Sequence, residues 1–199
     1  MNQEARGRTF DWGDELPRLE TPRLVVRALT AGDVPALYDL FRHEEVTRYW
    51  SWPAYSEPAQ AAALLAEIEE HFRARTLFQW GLARRADDRV VGTVTLFEID
   101  SGRHRGEVGF ALARAAWGQG LMGEALTALF DFAFDRLGLH RLEADVDPRN
   151  APSLAVLERH GFRREGLLRE RHRVGDELQD TVMLGLLAPQ WRQRSAAAP

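Results

Sequence analysis

Three glycines, Gly118, Gly120 and Gly123, stand in G-x-G-x-x-G spacing between a strand-like segment, GEVGFAL from Gly106, and a helix-like segment from Leu121. Small residues there let the backbone come close to a neighbour, and the first amides of a helix, reinforced by its dipole, point at an anion. A turn that merely packs closely would use fewer glycines, so the loop reads as a seat for a phosphate-bearing ligand. Glu143 lies twenty residues past the last glycine, which formally completes a dinucleotide-binding fingerprint. Three features oppose that reading. Ala113 to Trp117 separate the strand from the glycines, three antiparallel-looking strands come first, and too few βα units follow.

Hydrophobic periodicity places the other elements around this loop. TPRLVVRAL, Thr21 to Leu29, reads as a strand, and Thr30 to Asp33 opens a helix carrying Val34, Leu37, Leu40 and Phe41. The aromatic segment YWSWPAY, Tyr49 to Tyr55, is a loop broken by Pro53. Ser56 to Pro58 starts a second helix with Leu64, Leu65, Ile68 and Phe72 inward. LFQWGLA from Leu77 and RVVGTVTLFEI from Arg89 form a hairpin about the turn ADD. Past the glycine loop, Leu121, Ala125, Leu129, Ala133 and Leu137 share one helical face that stops at Gly138. HRLEADV is a strand, a shorter helix runs from Asn150 to Gly161, and the remainder makes two strands about VGDE. The expectation is an α/β (α+β) fold with a mixed, mostly antiparallel central sheet of about seven strands flanked by helices. A chain of 199 residues suits one domain, here 19–191, with tails at 1–18 and 192–199.

Composition removes several classes of function. There is no cysteine, which excludes thiolate nucleophiles, disulfides and Cys-type zinc sites. All 26 basic residues are arginine, so a phosphate loop that depends on lysine cannot be built. Six scattered histidines show no ligand spacing, and no metal is expected. A net charge of −4 argues against nucleic acid as a general partner. The absence of an apolar leader or a membrane-length run points to a cytoplasmic protein.

TPRLVVRAL, EVGFALARAAWGQGLMGEAL and NAPSLAVLERHGFRREG together resemble the GNAT superfamily of N-acetyltransferases, in particular its RimJ/RimL-like branch, which acetylates ribosomal-protein N-termini. The resemblance runs from about Leu19 to Trp191. It implies acetyl-CoA as co-substrate and direct transfer to a primary amine in a ternary complex, and a homodimer is common in the family. The family's pyrophosphate loop falls on Trp117, Gly118, Gln119, Gly120, Leu121, Met122, Gly123 and Glu124, with Met122 where a small residue is usual. Phe110 and Leu112 take the strand that lies along the pantetheine arm. An amide at Phe110 aimed at the thioester oxygen would stabilise the oxyanion. Asn150 would bond the same arm, a role compatible with a plain helix N-cap. Ser153 would meet the sulfur, although a first-turn serine bonding backbone or water is nearly as good an account. The proton-donating tyrosine of many members is Leu157 here, which leaves Ser153 as the candidate acid.

A protonated amine must lose a proton before it attacks, so a carboxylate is needed beside the acetyl group. The resemblance puts that base at Glu107, and Glu98 is the second candidate. Tyr49, Trp50 and Trp52, with Tyr55 nearby, could line an acceptor pocket, since aromatic faces attract cationic amines, or could simply close the core. The acceptor is expected to be a peptide N-terminus. A polyamine, an amino acid or an antibiotic amine is the alternative, and Met122 and Leu157 also allow a non-catalytic acyl-CoA-binding module.

Overall fold

The computed structural model describes residues 13–50 and 52–197. Its elements run β1 (Leu19–Glu20), β2 (Leu24–Arg27), α1 (Val34–Phe41), α2 (Glu44–Thr47), α3 (Pro58–Arg73), β3 (Leu77–Arg84), β4 (Val90–Asp100) and β5 (Arg105–Leu112). Then follow α4 (Leu121–Asp131), β6 (Arg141–Val146), α5 (Ala151–Arg159), β7 (Arg163–Val174), β8 (Glu177–Leu187) and α6 (Ala188–Ala197). The strands form one sheet in the order β1-β2-β3-β4-β5-β6-β8-β7. Every neighbouring pair is antiparallel except β5 with β6.

That parallel pair shapes the molecule. β5 and β6 are in register only at Arg105 with Arg141, Gly106 with Leu142 and Glu107 with Glu143. Beyond Glu107 both strands continue without pairing to each other, and the sheet opens between them.

Alternation along the strands divides the apolar residues between two faces. Leu24, Val26, Trp80, Val94, Val108 and Leu142 pack with α4 and α5 on one face. Val25, Leu29, Val90 and Ala111 pack with α1 and α3 on the other. The expected stripe of α4 is buried, including two residues past its end: Ala133, in a π-helical turn over Phe132–Arg136, and Leu137, which caps that turn. The wider turn lets three consecutive residues, Phe132, Ala133 and Phe134, all reach the core.

The mixed, mostly antiparallel sheet of about seven strands is as expected, with an eighth strand added where Leu19–Glu20 pairs with Val25–Val26; a two-residue strand shows no alternation by which to find it. The tail boundaries differ. The C-terminal tail begins later than 192, because α6 carries on through Ala197, anchored by buried Trp191, whose indole Nε1 donates to Asp131 Oδ1 at 2.8 Å. Residues 13–18 are fastened rather than loose. Trp80 Nε1 donates to Pro17 O at 2.7 Å, and Arg75 donates to Gly13 O at 2.6 Å. The remaining tail residues, 1–12 and 198–199, lie outside the described residues. A further short helix, α2, falls in a stretch too brief to show a helical period.

The start of α1 is held by a buried ion pair. Asp33, 7% exposed, accepts from Arg27 at 2.8 and 3.0 Å, from Thr30 N at 2.8 Å and from Thr30 Oγ1 at 2.9 Å. Burial pushes its carboxyl up, but the bonds from Arg27 and Thr30 outweigh it and leave the group below its ordinary value of 3.8. Asp33→Asn is expected to cost about 2 kcal/mol, read as a lower Tm at pH 7. Because the folded pKa is depressed, the stabilisation is complete above the ordinary aspartate range and is lost as pH falls below it. The Tm gap between wild type and variant should therefore narrow toward pH 3.

Candidate active site

A cavity of about 450 Å³ lies at the mouth of the opening between β5 and β6. Its wall includes Glu107 and Phe110 from β5, Asp145 from β6, Ser153 from α5, and Tyr49, Trp50 and Trp52 from the aromatic loop. Residues that are distant in sequence meet here because the middle of β5, the end of β6 and the start of α5 border the same opening.

Glu107 is the last residue of β5 paired to β6. Its carboxyl is pushed up from an ordinary 4.5 to about 7, first by burial and then by the negative charges of Asp145 and Glu143, with Arg171 opposing and Glu98 adding slightly. Glu143 is engaged by Arg105 and Arg141, each at 2.7 Å, and Asp145 by His172 at 3.0 Å. No hydrogen bond or ion pair ties the Glu107 carboxyl among the described residues, which leaves it able to exchange a proton near neutral pH. Glu98 is exposed on a bulge of β4, with φ +48, and is no part of the cavity wall.

The free edge of β5 follows from its ladder. Ala113 N donates to Val91 O across to β4 at 2.8 Å, so by strand alternation the amides of Phe110 and Leu112 face the opening. Leu112 O is met by the indole of the half-exposed Trp117 at 2.7 Å.

The glycine loop stands at the other end of the opening, and its residues divide their roles. Gly118 and Gly120 hold φ of +72 and +73, a left-handed backbone that strains side-chain-bearing residues. Gly120 is the N-cap of α4 and supplies no side-chain cap, so the first amides of the helix remain open to an anion. Gly123 serves packing, since a Cβ there would sit 3.5 Å from the His160 ring. Leu121 and Met122 turn their side chains into the core, which removes Met122 as an obstacle at the loop surface. Gln119 Nε2 bonds Ala115 O at 2.8 Å. Glu124 is bonded within the protein. Its amide bonds Gly120 O at 3.2 Å and its carboxylate is held by Thr21 and Arg23.

At the start of α5, Asn150 is the N-cap and its Oδ1 accepts from Ser153 N at 3.3 Å. The side-chain oxygen is therefore committed to the helix while the amide NH₂ is not. Ser153 is half-buried and reaches the cavity wall, whereas Asn150 does not. Trp50 meets Phe41 and Trp52 edge-on, at 5.3 and 4.6 Å between centroids. Tyr49 carries Arg48 and Arg149 against its ring, and Tyr55 leans on Phe41 away from the wall. Sequence reading missed Asp145, His172 and Asp180, which also line the cavity. A signal for Asp145 existed, because Arg141, Glu143 and Asp145 alternate with Leu142, Ala144 and Val146 on the polar face of β6.

A sheet that opens between two parallel strands, with a glycine turn at a helix start near one end and a carboxyl raised to about 7 at the other, suits an N-acetyltransferase. The chain belongs to the GNAT acetyltransferase family: the family model described as the Acetyltransferase (GNAT) domain matches residues 23–163. An uncharacterized N-acetyltransferase, p20 of Bacillus licheniformis, is 32% identical over 85% of this chain and 95% of its own length. The ribosomal protein uS5-alanine N-acetyltransferase of Escherichia coli is 29% identical over 92% of this chain and 97% of its own. The crystal structure of spermidine N-acetyltransferase from Vibrio cholerae, in complex with CoA and spermine, superposes with a TM-score of 0.75 at 22% identity, covering 85% of this chain and 98% of that one. The last likeness concerns the fold.

Proposed function

We propose that the protein transfers the acetyl group of acetyl-CoA directly to the α-amine of a protein N-terminus. The observation that carries this reading is a carboxylate poised near pH 7, Glu107, beside the open β5 edge in one cavity with Ser153. Acetyl-CoA supplies the activated acyl group. The residues suit it, since the opening admits an extended arm, the β5 amides face it, and the loop offers unfilled space at Gly118, where a Cβ would meet nothing within 4 Å. Glu107 accepts the proton of the incoming ammonium, directly or through water. The amine nitrogen then bonds to the acetyl carbon while the carbon–sulfur bond breaks. The Phe110 amide stabilises the oxygen as it gains charge, Ser153 delivers a proton to the departing thiolate, and the second proton of the nitrogen, lost as the amide forms, restores the serine hydroxyl. No covalent intermediate on the protein is required.

The aromatic residues Tyr49, Trp50 and Trp52 and the carboxylates Asp145 and Asp180 suit a cationic acceptor. The carboxylates also favour a second reading, in which the acceptor is a small polyamine. A cytoplasmic location goes with either acceptor. Thiol release from acetyl-CoA, followed against N-terminal peptides, spermidine and amino acids, tests the proposal. Release with peptides supports it, release with spermidine alone moves the acceptor to the second reading, and none with any amine leaves a module that holds acyl-CoA. Trp52→Ala is expected to raise the acceptor KM about 3–20-fold with the KM for acetyl-CoA unchanged.

A further inference from the structure

The three residues before β2, Thr21 to Arg23, lie outside the cavity wall, yet they grip the glycine loop from about a hundred residues away in sequence. Glu124 lies in the first turn of α4, where the helix dipole and open amides receive an anion. A carboxylate there repels a diphosphate unless its charge is balanced. The balance comes from Thr21 and Arg23. The Glu124 side chain, 14% exposed, accepts from Thr21 Oγ1, from Arg23 N at 2.7 Å and from Arg23 Nε at 2.7 Å. These bonds outweigh the effect of burial and hold its carboxyl below the usual range, so it is ionised.

The same guanidinium donates through Nη1 to Gln119 O at 2.8 Å. Arg23 thus fixes the loop on both sides of Gly120, whose added Cβ would stand 3.6 Å from Arg23 Nη2. That Nη2 makes no hydrogen bond among the described residues, and the side chain is half exposed beside the loop. Arg23 is held in turn by Arg85, whose N donates to Arg23 O at 3.0 Å and whose Nε donates to Thr21 O at 2.7 Å.

We propose that Arg23 is a positioning residue for the diphosphate of the acetyl carrier. It cancels the Glu124 charge and draws the Gln119 carbonyl onto itself, so that the loop meets the anion with its amides and no uncompensated negative charge. The inference rests on acetyl-CoA being the ligand of this loop. Its test is calorimetric binding of CoA to wild type, Arg23→Gln, Glu124→Gln and the double variant, with Tm recorded for each. Turnover of acetyl-pantetheine, which has no diphosphate, is measured alongside. Arg23→Gln is expected to weaken CoA about tenfold, more at low ionic strength, and to leave acetyl-pantetheine kcat/KM unchanged. The double variant should regain most of the affinity, because the unbalanced carboxylate is gone. Unchanged CoA affinity in Arg23→Gln overturns the inference. So does a loss that extends equally to acetyl-pantetheine, lowers Tm and is not recovered by Glu124→Gln, which would make Arg23 a scaffold only. Failure of wild type itself to bind CoA refutes the reading of the loop, and the inference with it.

Discussion

Glu107→Gln is expected to lower kcat about 10²–10⁴-fold while CoA binding stays within a few-fold of wild type. Glutamine keeps the shape of the side chain and cannot accept the ammonium proton. The pH profile sharpens the test. With the Glu107 carboxyl raised to about 7, the active carboxylate form accumulates as pH rises through neutrality, so the rate should climb across that range. Asp145→Asn removes one of the charges that hold this carboxyl up, and the ascending limb should move to lower pH. Stability responds with the opposite sign. The folded protein favours neutral Glu107, so this group's contribution is complete below its ordinary 4.5 and is lost as pH rises toward 7. Glu107→Gln should accordingly raise Tm at pH 8, by an amount equivalent to roughly 1–3 kcal/mol, and leave it unchanged at pH 4. Full turnover in the variant with an unaltered profile would remove Glu107 as the base and return the choice to another carboxylate of the cavity.

The second large effect concerns the scaffold. Trp80→Ala is expected to cost about 3–5 kcal/mol, read as a Tm roughly 10 °C lower. Trp80 is fully buried, stacks on Phe78 at 5.5 Å and meets Phe132 edge-on at 5.5 Å. Its indole also holds Pro17 O, so the substitution both opens a cavity and releases the segment before β1. Trp80→Phe should recover most of the packing and none of that hydrogen bond. Trp117→Ala is the control. Trp117 is 45% exposed, and its loss is expected to change Tm by less than about 1 kcal/mol equivalent while disturbing the loop beside Leu112.

Much of this molecule was legible in local pattern. Alternation located seven of the strands, and helical period located α1, α3, α4 and α5, because burying one face of an element imposes a repeat on its sequence. The glycine loop was legible for a related reason, since left-handed backbone at Gly118 and Gly120 restricts residue choice at single positions. The two-residue β1 and four-residue α2 were not, being too short to carry a period.

The site divides along the same line. The kinds of group present could be read along the chain: a glycine turn at a helix start, an Asn cap with a serine three residues on, a strand glutamate and an aromatic loop. What those groups can do depends on their packing. Glu107 reaches neutrality because β6 brings Asp145 and Glu143 to it, and because the cavity removes water; neither fact is local to its own strand. Met122 and Glu124 stand two residues apart in the first turn of helix α4, yet the first turns into the core and the second is clasped by Arg23. A pKa, an open strand edge and a balanced charge are sums over neighbours in space, and the fold alone chooses the neighbours.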